Sequence, residues 1–258
     1  MKKILVLVLV TFGCNSYQRY NLPIDKKNTK LTTKNIALIG FYPYSYKHEV
    51  EGRYTRVTAT LDYNQSLKPN FAKGKPIQSF SKVGENSKIS YENCVSFVKD
   101  YLQTVKVSGK QELESFIDFE MIGSKTIPKC KVKTDNIDFY ITGVLGEPFS
   151  GPQERPFRLV NELKSALSLL TLFIFPTEKN IEVDSKFYVY DSRLNLLEVS
   201  DYKRDMINTT SWWFNLNLDD KENVSEDQHV GRVRSQENIV KEFQFDFLQK
   251  YIEKKESL

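Results

Sequence analysis

The chain has 258 residues, a formal net charge of +4, 40% apolar residues and 13% aromatic residues, including 14 Tyr and 17 Phe. That is a globular, β-forming composition long enough to bury a core, and it excludes an intrinsically disordered chain. The near balance of 37 basic and 33 acidic residues gives no basic groove for nucleic acid.

The first element is the leader MKKILVLVLVTFGC, with Lys2 and Lys3 at its start, an apolar run from Ile4 to Val10, and small Gly13 before Cys14. This is the layout of a secretory signal, because cationic flanks stay on the cytoplasmic side while the apolar run enters the translocation machinery. Roughly ten apolar residues are too few to span a bilayer, which takes about twenty. Residues 10–14 resemble a bacterial lipoprotein box, with Gly13 just before the cleavage point and Cys14 just after it. The box is relaxed: Phe12 is bulky where a small residue is usual, and Thr11 sits where Leu or Val is typical, with Val10 one place back. Relaxed boxes of this type resemble those of spirochaete lipoproteins, and the Lys- and Asn-rich composition is similar to that group. The resemblance implies acylation of Cys14, attachment to a membrane through that lipid, and a place in the cell envelope, in the outer membrane facing the periplasm or the surface. A plain signal peptide with an incidental cysteine and an uncleaved anchor are the other readings.

Removal of residues 1–13 from the 258 leaves 245 and, with Lys2 and Lys3 gone, lowers the net charge from +4 to +2. Residues 14–34, with SYQRYNLPIDKKNTKLTTK, show no sustained period and read as a flexible tether from the lipidated N-terminus to one globular domain over 35–258. A lipid chain contributes about 0.8 kcal/mol per buried methylene, and stable anchoring takes more than one chain.

Within the globular part, Asn35–Pro43 (NIALIGFYP) is an apolar run suited to a buried strand. Arg56–Tyr63 (RVTATLDY) alternates Val57, Ala59, Leu61 and Tyr63 with polar residues, the pattern of a strand. The interval 64–88 is rich in Pro, Gly, Ser and Lys and reads as a long loop. Ser90 can cap a helix with Cys94, Val98, Tyr101, Leu102 and Val105 on one face, and a second helix fits Lys110–Ile122. Ile137–Phe149 reads as a strand, and Lys179–Ile207 as a hairpin turning near Asp191–Asn195. Ile239, Phe243, Phe247 and Tyr251 recur every four residues and predict an amphipathic helix over Ser235–Lys254. The sum is an α+β or α/β fold with a mixed or mostly antiparallel sheet and packed helices.

Ala166–Phe175, apolar except for Ser168 and Thr171, is too short to cross a bilayer as a helix. Its readings are a buried helix running into a strand, a membrane-inserting segment, and a partner surface. An apolar segment ending in Pro176 before a YVYD hairpin is similar to many periplasmic lipoproteins of unassigned role. Trp212, Trp213 and Phe214 read as core packing or as an interfacial patch.

Catalytic patterns are thin. The two histidines, His48 and His229, lie in polar surroundings, and no serine elbow, phosphate loop, dinucleotide fingerprint or zinc helix motif is present, so no catalytic residue, metal or cofactor is assigned. Asp219, Asp220, Glu226 and Asp227 lack the Gly pattern of a calcium loop and read as a solvated segment. With Cys14 lipidated, Cys94 and Cys130 form an even pair; a bridge closing about 36 residues contributes roughly 3–4 kcal/mol in the chain-entropy picture, and a buried free Cys94 thiol is the alternative. The expectation is a non-enzymatic envelope lipoprotein that binds a protein partner. The alternative is a membrane-active or secretion-channel subunit inserting residues 166–175, and a hydrolase with an unfamiliar site is more distant.

Overall fold

A computed structural model describes residues 15–20, 32–51, 54–71, 75–76, 89–105, 109–122, 125–132, 137–146, 177–211 and 228–253. The fold is α+β, and its contacts group the chain into two compact units. One comprises Pro23–Ser150, Asp184–Tyr202 and Gln236–Leu258; the other comprises Met1–Leu22, Gly151–Val183 and Lys203–Ser235.

In the larger unit, β2 (Ile36–Gly40) and β8 (Phe139–Val144) form a parallel pair, Ile36 opposite Phe139 through Gly40 opposite Gly143. Every residue of both strands is buried, as suits strands covered on two faces, with Thr142 the one polar side chain among them. Two-residue β5 (Lys75–Pro76) adds parallel to β2, inside the interval expected to be loop. On the other side β8 pairs antiparallel with β9 (Thr177–Asp191), which returns as β10 (Leu196–Ser211), so the sheet is mixed.

Parallel strands need a crossover, and among the described residues the connection from β2 to β8 holds β5, two helices and two hairpins. The hairpin β3 (Tyr44–Glu51) and β4 (Tyr54–Leu61) pairs Tyr44 with Leu61 and Tyr46 with Ala59, which seats its base in the core. Helix α1 (Tyr91–Val105) starts where its cap predicts: the Asn93 N–H donates to Ser90 Oγ at 3.2 Å. Its buried residues are Cys94, Phe97, Val98, Tyr101 and Val105, while Leu102 is half-buried.

The second helix, expected over Lys110–Ile122, requires a correction. Helix α2 covers only Lys110–Phe116; Ile117 turns to φ −122°, ψ 137° and opens strand β6 (Ile117–Ile122), which pairs with β7 (Lys125–Val132). Ile117 and Phe119 favour a pleated surface once a partner strand is present, and a ladder formed with residues farther along the chain outweighs the modest helical preference of this stretch.

Helices cover both sheet faces of this unit. Ala37, Ile39, Tyr140, Val144 and Tyr190 share a cluster with the buried face of α1 and with Leu113 and Phe116 of α2. On the opposite face Phe187 stacks on Phe243, and Phe139 meets Phe247 edge-on, which docks helix α3 (Gln228–Phe247) through the predicted four-residue spacing. A π-helical segment, Leu248–Ile252, extends α3 and presents Tyr251 to Glu198 at 2.7 Å.

The turn between β9 and β10 lies at the expected place. Asp191 Oδ1 accepts the N–H groups of Arg193 and Asn195, and Leu194 adopts φ +61°. Asn93 Nδ2 of α1 donates to Arg193 O and Asn195 Oδ1, tying the helix start to this turn.

In the smaller unit, β1 (Asn15–Tyr20) pairs antiparallel with the end of β10, Asn15 opposite Ser211 and Tyr20 opposite Met206. These six residues belong to the stretch read from sequence as tether. Lys203 and Glu182 form an ion pair at 3.0 Å in the same unit.

Candidate functional site

Among the described residues of the larger unit, a buried polar cluster lies at the carboxyl end of β2, the end of a parallel strand where α/β folds place ligands. Strand β2 ends in two consecutive left-handed residues, Gly40 at φ +80° and Phe41 at φ +66°. For a non-glycine residue this conformation costs roughly 1–2 kcal/mol, so something must hold it. The Phe41 N–H donates to Gly143 O at 2.8 Å, its carbonyl accepts from Leu67 N–H at 2.9 Å, and its buried ring stacks near Phe187. Gly143 is required here, because a Cβ at that position would stand 2.5 Å from the Phe41 ring.

The bend turns the Gly40 N–H onto Glu112 Oε1 at 2.8 Å. Glu112 projects from α2 and its side chain is 1% exposed. A carboxylate so buried is tolerable only when its oxygens meet donors. The Tyr101 hydroxyl donates to Oε2 at 2.7 Å, and Lys68 Nζ lies 3.7 Å from Oε1. Lys68, itself 11% exposed, donates to the Tyr42 hydroxyl at 3.1 Å and sits 4.9 Å above that ring. Tyr42 in turn meets Tyr63 edge-on at 4.8 Å.

Two phenols that feel the Glu112 charge, Tyr101 and Tyr63, and two buried ones of the same core cluster, Tyr44 and Tyr190, all have raised pKa values that favour the neutral form. Burial raises Tyr101, and the negative charge and hydrogen bond of Glu112 add to it. Tyr63 is pushed up to about 12, first by burial and then by Glu112 and Tyr42. Burial, followed by Tyr46 and Tyr63, raises Tyr44, whose buried hydroxyl has no hydrogen-bond partner among the described residues. Tyr190 is raised by burial and then by Asp100. The arrangement therefore supplies hydrogen-bond donors and one paired charge, and it fixes the end of β2 against α1 and α2.

From sequence, Tyr101 belongs to the apolar face of a helix and Tyr63 to one side of a strand, and nothing in their spacing joins them to Glu112 or Lys68. The one local signal was a carboxylate four residues before Phe116, on the apolar side of a short helix.

The residues singled out from sequence are placed as follows. Cys94 is fully buried on α1 and disulfide-bonded, and Cys130 lies in β7. His48 lies in β3 opposite Val57, and His229 lies in the first turn of α3. Cys14, the 166–175 segment, Trp212 to Phe214, and the acidic residues Asp219, Asp220, Glu226 and Asp227 lie outside the described residues. Among the described residues no three His, Cys, Asp or Glu side chains converge as a metal site, and no helix is long and apolar enough to cross a membrane.

Comparison with known family models, with curated proteins and with solved structures finds no match to this chain.

Proposed function

We propose that the protein is a lipid-anchored envelope lipoprotein of the spirochaete type, whose globular part binds a protein partner in assembly or recognition rather than catalysing a reaction. The observation that carries this reading is the leader: two lysines, a seven-residue apolar run and Gly13 directly before Cys14. The disulfide at Cys94 supports it, because such bonds form and persist in oxidising compartments outside the cytosol. A binding role is supported by Leu196, Leu197 and Val199, three apolar residues at the start of β10 that are 46–48% exposed.

Mass spectrometry of the N-terminal peptide from the native membrane fraction tests the anchor. The expected first residue is Cys14 carrying a thioether-linked diacylglyceryl group and an N-acyl chain. A retained leader, or a first residue other than acylated Cys14, overturns the reading. Lysine-reactive crosslinking in intact cells tests the binding role: a single protein captured by the native chain and lost in Leu197→Glu supports it, and identical products from both chains reject it.

A further inference from the structure

The fold carries a covalent clamp whose second half is not evident from either cysteine alone. Cys94 lies on the first turns of α1, fully buried and disulfide-bonded. The chain has three cysteines, so its partner is Cys14 or Cys130. Helix α1 packs directly against β7, the strand that carries Cys130, and both belong to the larger unit. We infer that the bridge joins Cys94 to Cys130, which leaves Cys14 as the one thiol of the chain open to modification.

Placement explains what the clamp does. Strand β6 continues without a break from α2, the helix of Glu112, and β7 is the only strand that pairs with β6 among the described residues. Their ladder slips between Ile117 and Phe119, an irregularity of the kind that loosens a two-stranded ribbon. A two-stranded hairpin is marginal by itself. The bridge ties its far strand to α1, the helix whose Tyr101 holds Glu112. One covalent link thus secures the hairpin and the two helices that build the buried carboxylate site.

The bond forms by two thiol–disulfide exchanges. The Cys94 or Cys130 thiolate attacks an external disulfide, from a thiol oxidase or a small disulfide, and releases one thiol; the second cysteine then displaces the other. The two cysteines lose two hydrogens in total and the external disulfide gains them. Burial of Cys94 places this step before or during closure of the core.

The pairing stands on the packing of α1 against β7, whereas the consequence for Cys14 rests on the lipoprotein reading. Peptide mapping of the full-length protein, unfolded and alkylated without reductant so that burial hides no thiol, tests both separately. The expected product is one linked peptide pair containing Cys94 and Cys130, lost on reduction and present at the same yield in Cys14→Ser, which cannot be acylated. A Cys94–Cys14 link, or full alkylation of Cys94 and Cys130 in protein isolated from the envelope, overturns the pairing. A Cys94–Cys130 link together with an unmodified Cys14 in native protein keeps the clamp and rejects the lipoprotein reading.

Discussion

The Tyr101 hydroxyl donates a 2.7 Å hydrogen bond to Glu112 Oε2 in a site where both side chains are buried. Removing it leaves a buried carboxylate oxygen short of a donor, a loss of about 1–3 kcal/mol. Tyr101→Phe is expected to lower the urea midpoint accordingly without altering the m-value. Glu112→Gln combined with Tyr101→Phe should cost less than the two single changes summed, because the pair shares one interaction. Additive losses would show that the two residues act independently.

The Gly143 and Phe41 contact gives a second prediction. Gly143→Ala forces a methyl group into the Phe41 ring and is expected to destabilise by about 1–3 kcal/mol, as overpacking does. Shortening the obstructing ring in Phe41→Leu should recover part of that loss in the double variant. Denaturant unfolding of the four proteins measures the coupling, and a double variant no better than the sum of the singles would reject the contact as its source.

Glu198 sets an acid limit. Burial raises its pKa, but hydrogen bonds from Lys250 and Tyr251 and the Lys250 charge outweigh that and hold it below the ordinary carboxylate value. A depressed folded pKa stabilises above the unfolded value of about 4.3, and that share is lost as the pH falls through the folded pKa. Carbon-detected titration should place the Glu198 midpoint below that of exposed glutamates. Tyr251→Phe should move it upward.

The tyrosines behave oppositely in alkali. A raised folded pKa stabilises below the unfolded value near 10 and loses that contribution as the pH rises through the folded one. Tyr63, at about 12, therefore contributes in neutral solution and gives up its share between about 10 and about 12. Tyr101, Tyr44, Tyr190 and Tyr202 are also raised, in each case by burial first. Phenolate absorbance should rise in two stages, exposed tyrosines first and the buried set together with unfolding. A single stage near 10 would contradict the buried network.

The turn at Asp191 yields a local prediction. Asn93→Ala removes both hydrogen bonds from α1 to the turn, which are solvent-exposed, and is expected to cost about 1 kcal/mol in unfolding free energy. Amide exchange should quicken around Arg193 and Asn195 and stay unchanged at β2. Uniform quickening would indicate global destabilisation instead.

Several elements were settled by residues close together in the chain. The Ser90 cap began α1, the apolar runs at Ile36 and Phe139 made buried strands, Asp191 made its turn, and the spacing of Ile239, Phe243 and Phe247 made the docking face of α3. Each depends on a period or a side chain within a few residues, which any reading of the chain contains. Other features needed the folded chain. Ile117–Ile122 became a strand because Lys125–Val132 offered it a ladder, and Asn15–Tyr20 pairs with residues nearly two hundred positions away. The Glu112 site joins Gly40, 72 residues distant, with Lys68 and Tyr101. Burial makes that carboxylate consequential, and burial is a property of the packed molecule that no single stretch of residues contains.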